Sequence, residues 1–189
     1  MPVLRVRSFP NAGWPASRRW GCSRSAEVPE DWPQDRERRW VETLLWNEAL
    51  RAFDLGEVPI AAAVTRHGDL LGLASNATRT RNDPTTHAEI QAIRQACRRL
   101  ENHRLSGATL WITVEPCLMC VGAAVESRID AIVYGVREPK FGALSRWQLH
   151  PELAAGKLEI TAGIVEDPAR QLMRRFFQAR RPIQGPSEG

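Results

Sequence analysis

The chain has almost no lysine. Lys140 and Lys157 are the only two among 26 basic residues, so its positive charge is carried by arginine. Cysteine is also sparse, with Cys22, Cys97, Cys117 and Cys120 spread over 189 residues. A secreted disulfide framework places its cysteines more densely in a shorter chain. A reducing, cytoplasmic setting is therefore the default expectation. No apolar run approaches the ~20 residues that cross a bilayer, so no membrane partner is expected. Acidic residues are missing before Glu27, and no segment repeats.

What is present is ordinary for a globular protein: 43% hydrophobic and 25% charged residues, with enough length to bury a core. The formal net charge is +4. Arginine's planar donor fork suits phosphates, which points towards nucleic acid. Genomic base composition enriches arginine too, so charge alone leaves that partner open.

Residues 1–35 mix Pro, Ser, Gly, Arg and Trp without helical or strand period. They read as a disordered extension, with a transit peptide or a basic RNA-touching arm as the functional alternatives. Patterning begins with residues 36–181, the expected folded domain, and 182–189 read as a tail. Trp40, Leu44, Leu45, Ala49, Ala52 and Phe53 predict a helix ending at Gly56. Ile60 to Thr65 and Leu70 to Ser75 predict a hairpin turning at His67-Gly68-Asp69. Pro84-Thr85 leads into a helix with apolar Ala88, Ile90, Ile93 and Leu100. Ala108 to Val114 predicts a strand buried on both faces. Pro116 predicts a helix start, with Gly122, Ala123 and Ala124 small enough for tight packing. Strands follow at Ala131 to Val136 and Leu158 to Thr161, flanking a loop with Lys140, Phe141, Gly142, Trp147 and His150. A final helix runs from Asp167-Pro168 to about Arg180, basic on its outer faces. The order predicts a mixed sheet covered by helices, a three-layer α/β/α domain.

Two stretches carry chemistry. One is Thr86-His87-Ala88-Glu89. The other is Glu115-Pro116-Cys117-Leu118-Met119-Cys120. Alone, a His-x-Glu at a helix start is usually capping and surface charge, and a C-x-x-C is as often redox or structural. Together, His87, Cys117 and Cys120 offer three zinc ligands and leave one corner open, the pattern of catalytic zinc. Cys117 and Cys120 lie three apart at a helix start, where the helix dipole favours thiolate. Cys22 lies in the extension, and Cys97 is over two turns beyond His87; neither suits a fourth ligand. Glu89 reads as an unligated carboxylate placed for general acid–base work. Glu115 reads as a strand-end carboxylate that bonds backbone N–H groups or is solvated. Asn76 reads as a turn residue or as an amide offered to a base or ribose.

In order, the stretches read H-x-E and then P-C-x-x-C, the signature of zinc nucleobase deaminases. From about Trp40 to Arg181 the chain resembles the bacterial tRNA-specific adenosine deaminases of the cytidine deaminase-like superfamily. The resemblance is carried by Glu57-Val58-Pro59-Ile60, Asn76, Asp83-Pro84-Thr85-Thr86-His87-Ala88-Glu89 and Glu115 to Ala123. Ser127-Arg128-Ile129, Tyr134-Gly135, Lys140 to Ala143, Phe176-Phe177 and Arg180-Arg181 continue it. It implies deamination of a tRNA wobble adenosine to inosine by a homodimer, with one Zn2+ per subunit on His87, Cys117 and Cys120. Glu89 would move protons. Substrate contacts would come from Asn76, Ala88, Pro116, Phe177, Arg180 and Arg181, with tRNA held by its anticodon stem-loop.

The chain departs from that pattern at Ala61, where the family usually has Gly, and at Glu138, where it usually has Asp. Leu144-Ser145-Arg146-Trp147 replaces a common Gly-Ser. These departures keep open a deaminase of a free nucleobase or nucleoside. A non-catalytic zinc-containing RNA-binding module is the third reading, and Glu89 with an open fourth corner argues against it.

Overall fold

The computed structural model describes residues 7–8, 36–144 and 158–180. Helix α1 (Arg36–Asp54) leads into the hairpin β2 (Ala61–Arg66) and β3 (Asp69–Ser75). Then come α2 (Ala88–Arg99), β4 (Ala108–Val114), α3 (Leu118–Glu126), β5 (Ala131–Val136) and β6 (Glu159–Ala162). Helix α4 (Glu166–Gln178) closes the described chain. Strand β1 (Arg7–Ser8) is a two-residue addition at the sheet edge. The sheet order is β1-β6-β5-β4-β2-β3. Strand β2 runs antiparallel to both neighbours, whereas β4, β5 and β6 run parallel, so the sheet is mixed as expected.

Arg7–Ser8 pairs in parallel with Thr161 and Ala162. This corrects the expectation of an unstructured segment at those two residues. Strand addition uses backbone donors and acceptors, so no side-chain period announces it. The rest of 1–35, Trp147, His150, Arg181 and the tail 182–189 lie outside the described residues.

Alternation along the strands sorts side chains onto two faces. Ala62, Val64, Leu110, Ile112, Ile132 and Tyr134 pack with Ala88, Ala92, Ile93 and Ala96 of α2 and with Val121, Ala124 and Val125 of α3. On the other face Ala61, Ala63, Trp111 and Val133 pack with Val41, Leu45 and Ala49 of α1 and Leu172 of α4. Both faces of β4 are covered, and the Trp111 indole N–H donates to Thr65 Oγ1 at 2.8 Å. The hairpin turns on His67 (φ 53°) and Gly68 (φ 82°), the doubly positive pair that matches strand twist.

Strand β3 is a sheet edge, and α2 covers it. Gln91 Nε2 donates to Ser75 O (2.6 Å), Gln95 Oε1 accepts from Leu73 N–H (3.0 Å), and Arg99 donates to Leu70 O (2.7 Å). Gln91, Gln95 and Arg99 stand about one turn apart on the helix, so one side chain per turn reaches the free edge of the strand.

Two helix starts differ from expectation. Asp83 Oδ1 accepts from Thr85 N–H (2.8 Å) and Thr85 Oγ1 (2.7 Å), and this local turn delays α2 until Ala88. Helix α3 begins at Leu118 with Cys117 as its N-cap, so Pro116 stands just before the helix and not at its first position. Gly122 is exposed, and a Cβ there would meet nothing within 4 Å, so tight packing is not its reason. Gly135 is the opposite case: a Cβ would lie 2.4 Å from both Thr113 O and Ile164 O. Gly135→Ala is expected to destabilise the fold by about 1–3 kcal/mol, read as a lower urea midpoint with unchanged slope.

Candidate active site

Strands β3 and β4 point the same way, so the turns after Ser75 and Val114 emerge at one end of the sheet. Ligands of open α/β sheets bind beyond such carboxyl ends. Helices α2 and α3 start there on the same face. His87 is the N-cap of α2 and Cys117 the N-cap of α3, both in extended backbone. His87 Nδ1 lies 3.6 Å from Cys117 Sγ and 3.5 Å from Cys120 Sγ, and the two sulfurs are 3.6 Å apart. These three side chains could hold one metal ion. Cys97 is elsewhere, with its thiol 3.8 Å from His103 O.

The three side chains perturb one another. The Cys117 thiol is pushed down to about 4, first by the hydrogen bond from Cys120 and also by that from His87. The same bond to Cys117, followed by burial, pushes Cys120 up. His87 is raised chiefly by its hydrogen bond with Cys117.

Glu89 is buried in the first turn of α2, and its Oε2 has no hydrogen-bond partner among the described residues. Burial pushes its carboxyl up, while its own backbone N–H and His87 pull the other way. Buried carboxylate oxygens are rarely left unpartnered, and a catalytic role is one of the reasons for such an exception.

Asn76 is buried, and its Oδ1 accepts the Ala88 N–H at 2.9 Å. That bond fixes the orientation of the amide and fills one orphan donor of the helix start. The structure thus makes Asn76 a cap as well as a neighbour of the His87 turn. Gln91 Nε2 also donates to Thr86 O (3.2 Å), and Ala77 N–H donates to Thr86 O (3.1 Å). The sequence reading missed Gln91, because a glutamine at a helical step normally signals an exposed face.

Glu57, known beforehand only as part of a motif, is fully buried. Its Oε1 accepts from the Thr80 N–H and hydroxyl, both at 2.6 Å, and its Oε2 from Arg79 N–H (3.3 Å) and Thr78 Oγ1 (3.5 Å). This carboxylate shapes the loop between Asn76 and His87. Glu115 is buried rather than solvated, and its Oε2 accepts the Glu138 N–H at 3.1 Å. Pro116 is buried, and its carbonyl accepts from Ala143 N–H (2.9 Å).

Of the residues expected on the last helix, Phe177 is 49% exposed. Arg180 stacks its guanidinium 3.7 Å from the Phe176 ring centroid and donates to Gly56 O at 3.1 Å. That ties the end of α4 to the turn carrying Glu57.

Residues 37–181 match the MafB19-like deaminase family. Over 134 residues the chain is 37% identical to a tRNA-specific adenosine deaminase of Haemophilus influenzae, an alignment covering 69% of this chain and 78% of that one. The chain belongs to the tRNA-specific adenosine deaminase family. A solved tRNA:A34 deaminase, from work on A-to-I editing at the wobble position of transfer RNA, superposes with a TM-score of 0.67 at 36% identity. That match covers 71% of this chain and 99% of the other. A guanine deaminase from Nitrosomonas europaea superposes at 0.61 with 26% identity, over 77% of this chain and 84% of that one. The three-layer cytidine deaminase-like fold is thus shared with both, and the family expectation from the motifs is borne out.

Glu57 lends itself to a test. Its carboxyl is held below its ordinary value: burial works against this, and the bonds from Thr80, Arg79 and Thr78 outweigh it. Its stabilisation is therefore full above the unfolded value near 4.3 and fades as pH falls through the folded value. Glu57→Gln is expected to cost about 1–3 kcal/mol in urea unfolding at pH 7. The gap to the native chain should narrow in acid below about pH 4.

Proposed function

We propose that this chain deaminates the wobble adenosine of a tRNA anticodon to inosine, using one zinc ion held by His87, Cys117 and Cys120. The observation that carries this reading is the buried, unpartnered Oε2 of Glu89 beside three converging ligand atoms. Zinc–ligand bonds of about 2.0–2.3 Å at tetrahedral angles imply ligand atoms about 3.5–3.8 Å apart. The 3.5 and 3.6 Å edges here fit that set. Two thiols and one imidazole on one side leave the fourth corner for water and substrate.

Bound there, zinc would supply a Lewis acid that makes water a nucleophile near neutral pH. The chain supplies the rest. Glu89 would take one proton from the water that attacks C6 and pass it to the adenine ring nitrogen; it would then take the second proton, from the hydroxyl now on C6, and deliver it to the amino group, which leaves as ammonia as the C6 carbonyl forms. Asn76 spends its oxygen on Ala88 and keeps Nδ2 as a donor for the base. The Ala88 N–H and the Pro116 carbonyl are engaged within the protein, so these two residues contribute pocket wall.

The anticodon stem-loop would meet α4, where Phe177 is exposed and arginines crowd the outer faces. Unstacked bases of RNA loops are received on such aromatic and guanidinium surfaces. Arg180 would act there mainly by holding the end of α4 in place, given its bonds to Phe176 and Gly56. Arg181 belongs to the same reading through the family motif. We also take the active form to be a cytoplasmic homodimer, which the family resemblance supports. No described helix is long and apolar enough to cross a membrane.

The likeness to a guanine deaminase favours a second reading, attack on a free base. Inosine mapping of tRNA treated with the purified chain, beside assays on free adenosine, guanine and cytosine, separates the two. Inosine at the wobble position is expected; turnover of free bases alone would sink the tRNA reading. Glu89→Ala should lower deamination by at least about a hundred- to ten-thousandfold while zinc content and tRNA affinity hold. Affinity for tRNA should fall steeply between low and physiological salt, because arginine–phosphate contacts release counterions. A filter-binding series would read that slope.

A further inference from the structure

Phe141 is the most exposed large hydrophobic side chain among the described residues, at 64%. Its backbone is tightly held. Gly142 bridges the Cys117 backbone, Ala143 N–H donates to Pro116 O (2.9 Å), and Gly142 N–H donates to Glu138 O (2.9 Å). Glu138 is fastened in turn to the buried Glu115. A Cβ on Gly142 would lie 2.5 Å from the Glu115 carboxylate and 2.4 Å from Glu138 O, so the loop rests directly on that carboxylate. A rigid backbone, one residue from the partner of a metal ligand, therefore holds an aromatic ring out into water.

We propose that Phe141 is a stacking platform for an unpaired RNA base neighbouring the target adenosine. This rests on the tRNA reading above. A base that leaves its stack to reach Glu89 drags its neighbours out of register, and each then presents a bare π-face. Phenylalanine receives such faces irrespective of sequence. Lys140 Nζ sits over one face of the ring, 5.0 Å from its centroid, and adds a positive charge beside the platform that attracts the RNA backbone. The preorganised loop means little ordering is needed when the base arrives. Leu118 and Met119, which follow the bridged Cys117 in the chain, are 53% and 38% exposed.

A second copy of the chain is the competing occupant. Two features favour RNA. Three side chains are far short of the roughly 800 Å² per partner that a stable interface buries. A lysine against the ring is a residue that interface centres exclude.

The test uses an anticodon stem-loop carrying 2-aminopurine beside the target adenosine, in a Glu89→Ala background so that substrate is not consumed. Phe141→Ala is expected to weaken binding by about five- to a hundredfold and to abolish the fluorescence quench that stacking produces. Phe141→Trp should keep both, and zinc content should be equal in all three proteins. Unchanged affinity and quench in Phe141→Ala would overturn the platform. So would a shift from dimer to monomer in sedimentation caused by Phe141→Ala, which would give the surface to a second subunit. Failure of the Glu89-intact chain to form inosine in tRNA would instead remove the tRNA reading on which the platform stands.

Discussion

Three atoms that could ligate one metal ion stand 3.5–3.6 Å apart, supplied by the starts of two helices that lie on one face of one sheet. That convergence governs the rest of the molecule. Ala88, Ala92, Ala96 and Ala124 are buried where α2 and α3 meet the strands, and small side chains let both helices approach closely. Gly72 serves the same end, since a Cβ there would stand 2.3 Å from Ala92 O. A metal site needs its donors placed to within a fraction of an ångström, and rigid packed elements supply that better than loops do. The loops around it are in turn braced by polar side chains rather than by apolar contacts.

Three buried glutamates show how partner count separates scaffold from chemistry. Glu57 receives four bonds from Thr78, Arg79 and Thr80 and shapes one loop. Glu115 receives the Glu138 N–H and anchors another. Glu89 keeps one buried oxygen with nothing donating to it. Burying a carboxylate is costly, and the first two recover the cost through hydrogen bonds made in the folded chain. The third is offset only in part, by its own backbone N–H and by His87, which leaves one oxygen without a donor.

Much of this was legible beforehand, for a physical reason. The His87, Glu89, Cys117 and Cys120 spacings survive as sequence because each pair lies within one local segment. Strands such as Ala108–Val114 and Ala131–Val136 were readable to the residue, because a strand buried on both faces is mostly apolar and β-branched. What escaped depends on distant partners. Nothing near Glu57 in sequence reveals Thr80 as its donor, and nothing near Gln91 reveals Ser75 O. The helix starts at Ala88 and Leu118 shifted for a related reason: Asp83 and Cys117 hold backbone outside the helix that local propensity would have drawn in. Ser8 entered the sheet by backbone pairing alone.

The bonds from Gln91, Gln95 and Arg99 to the free side of β3 tie the sheet margin to the helix whose first turn bears His87 and Glu89. The margin and the reacting groups are thus one rigid part. Arg99 lies about 17 Å along the helix from Ala88, at an exposed position that surface redesign would treat as free to change. Altering it to improve solubility would loosen the rail on which the histidine is mounted, so an apparently idle face of α2 has little latitude for engineering.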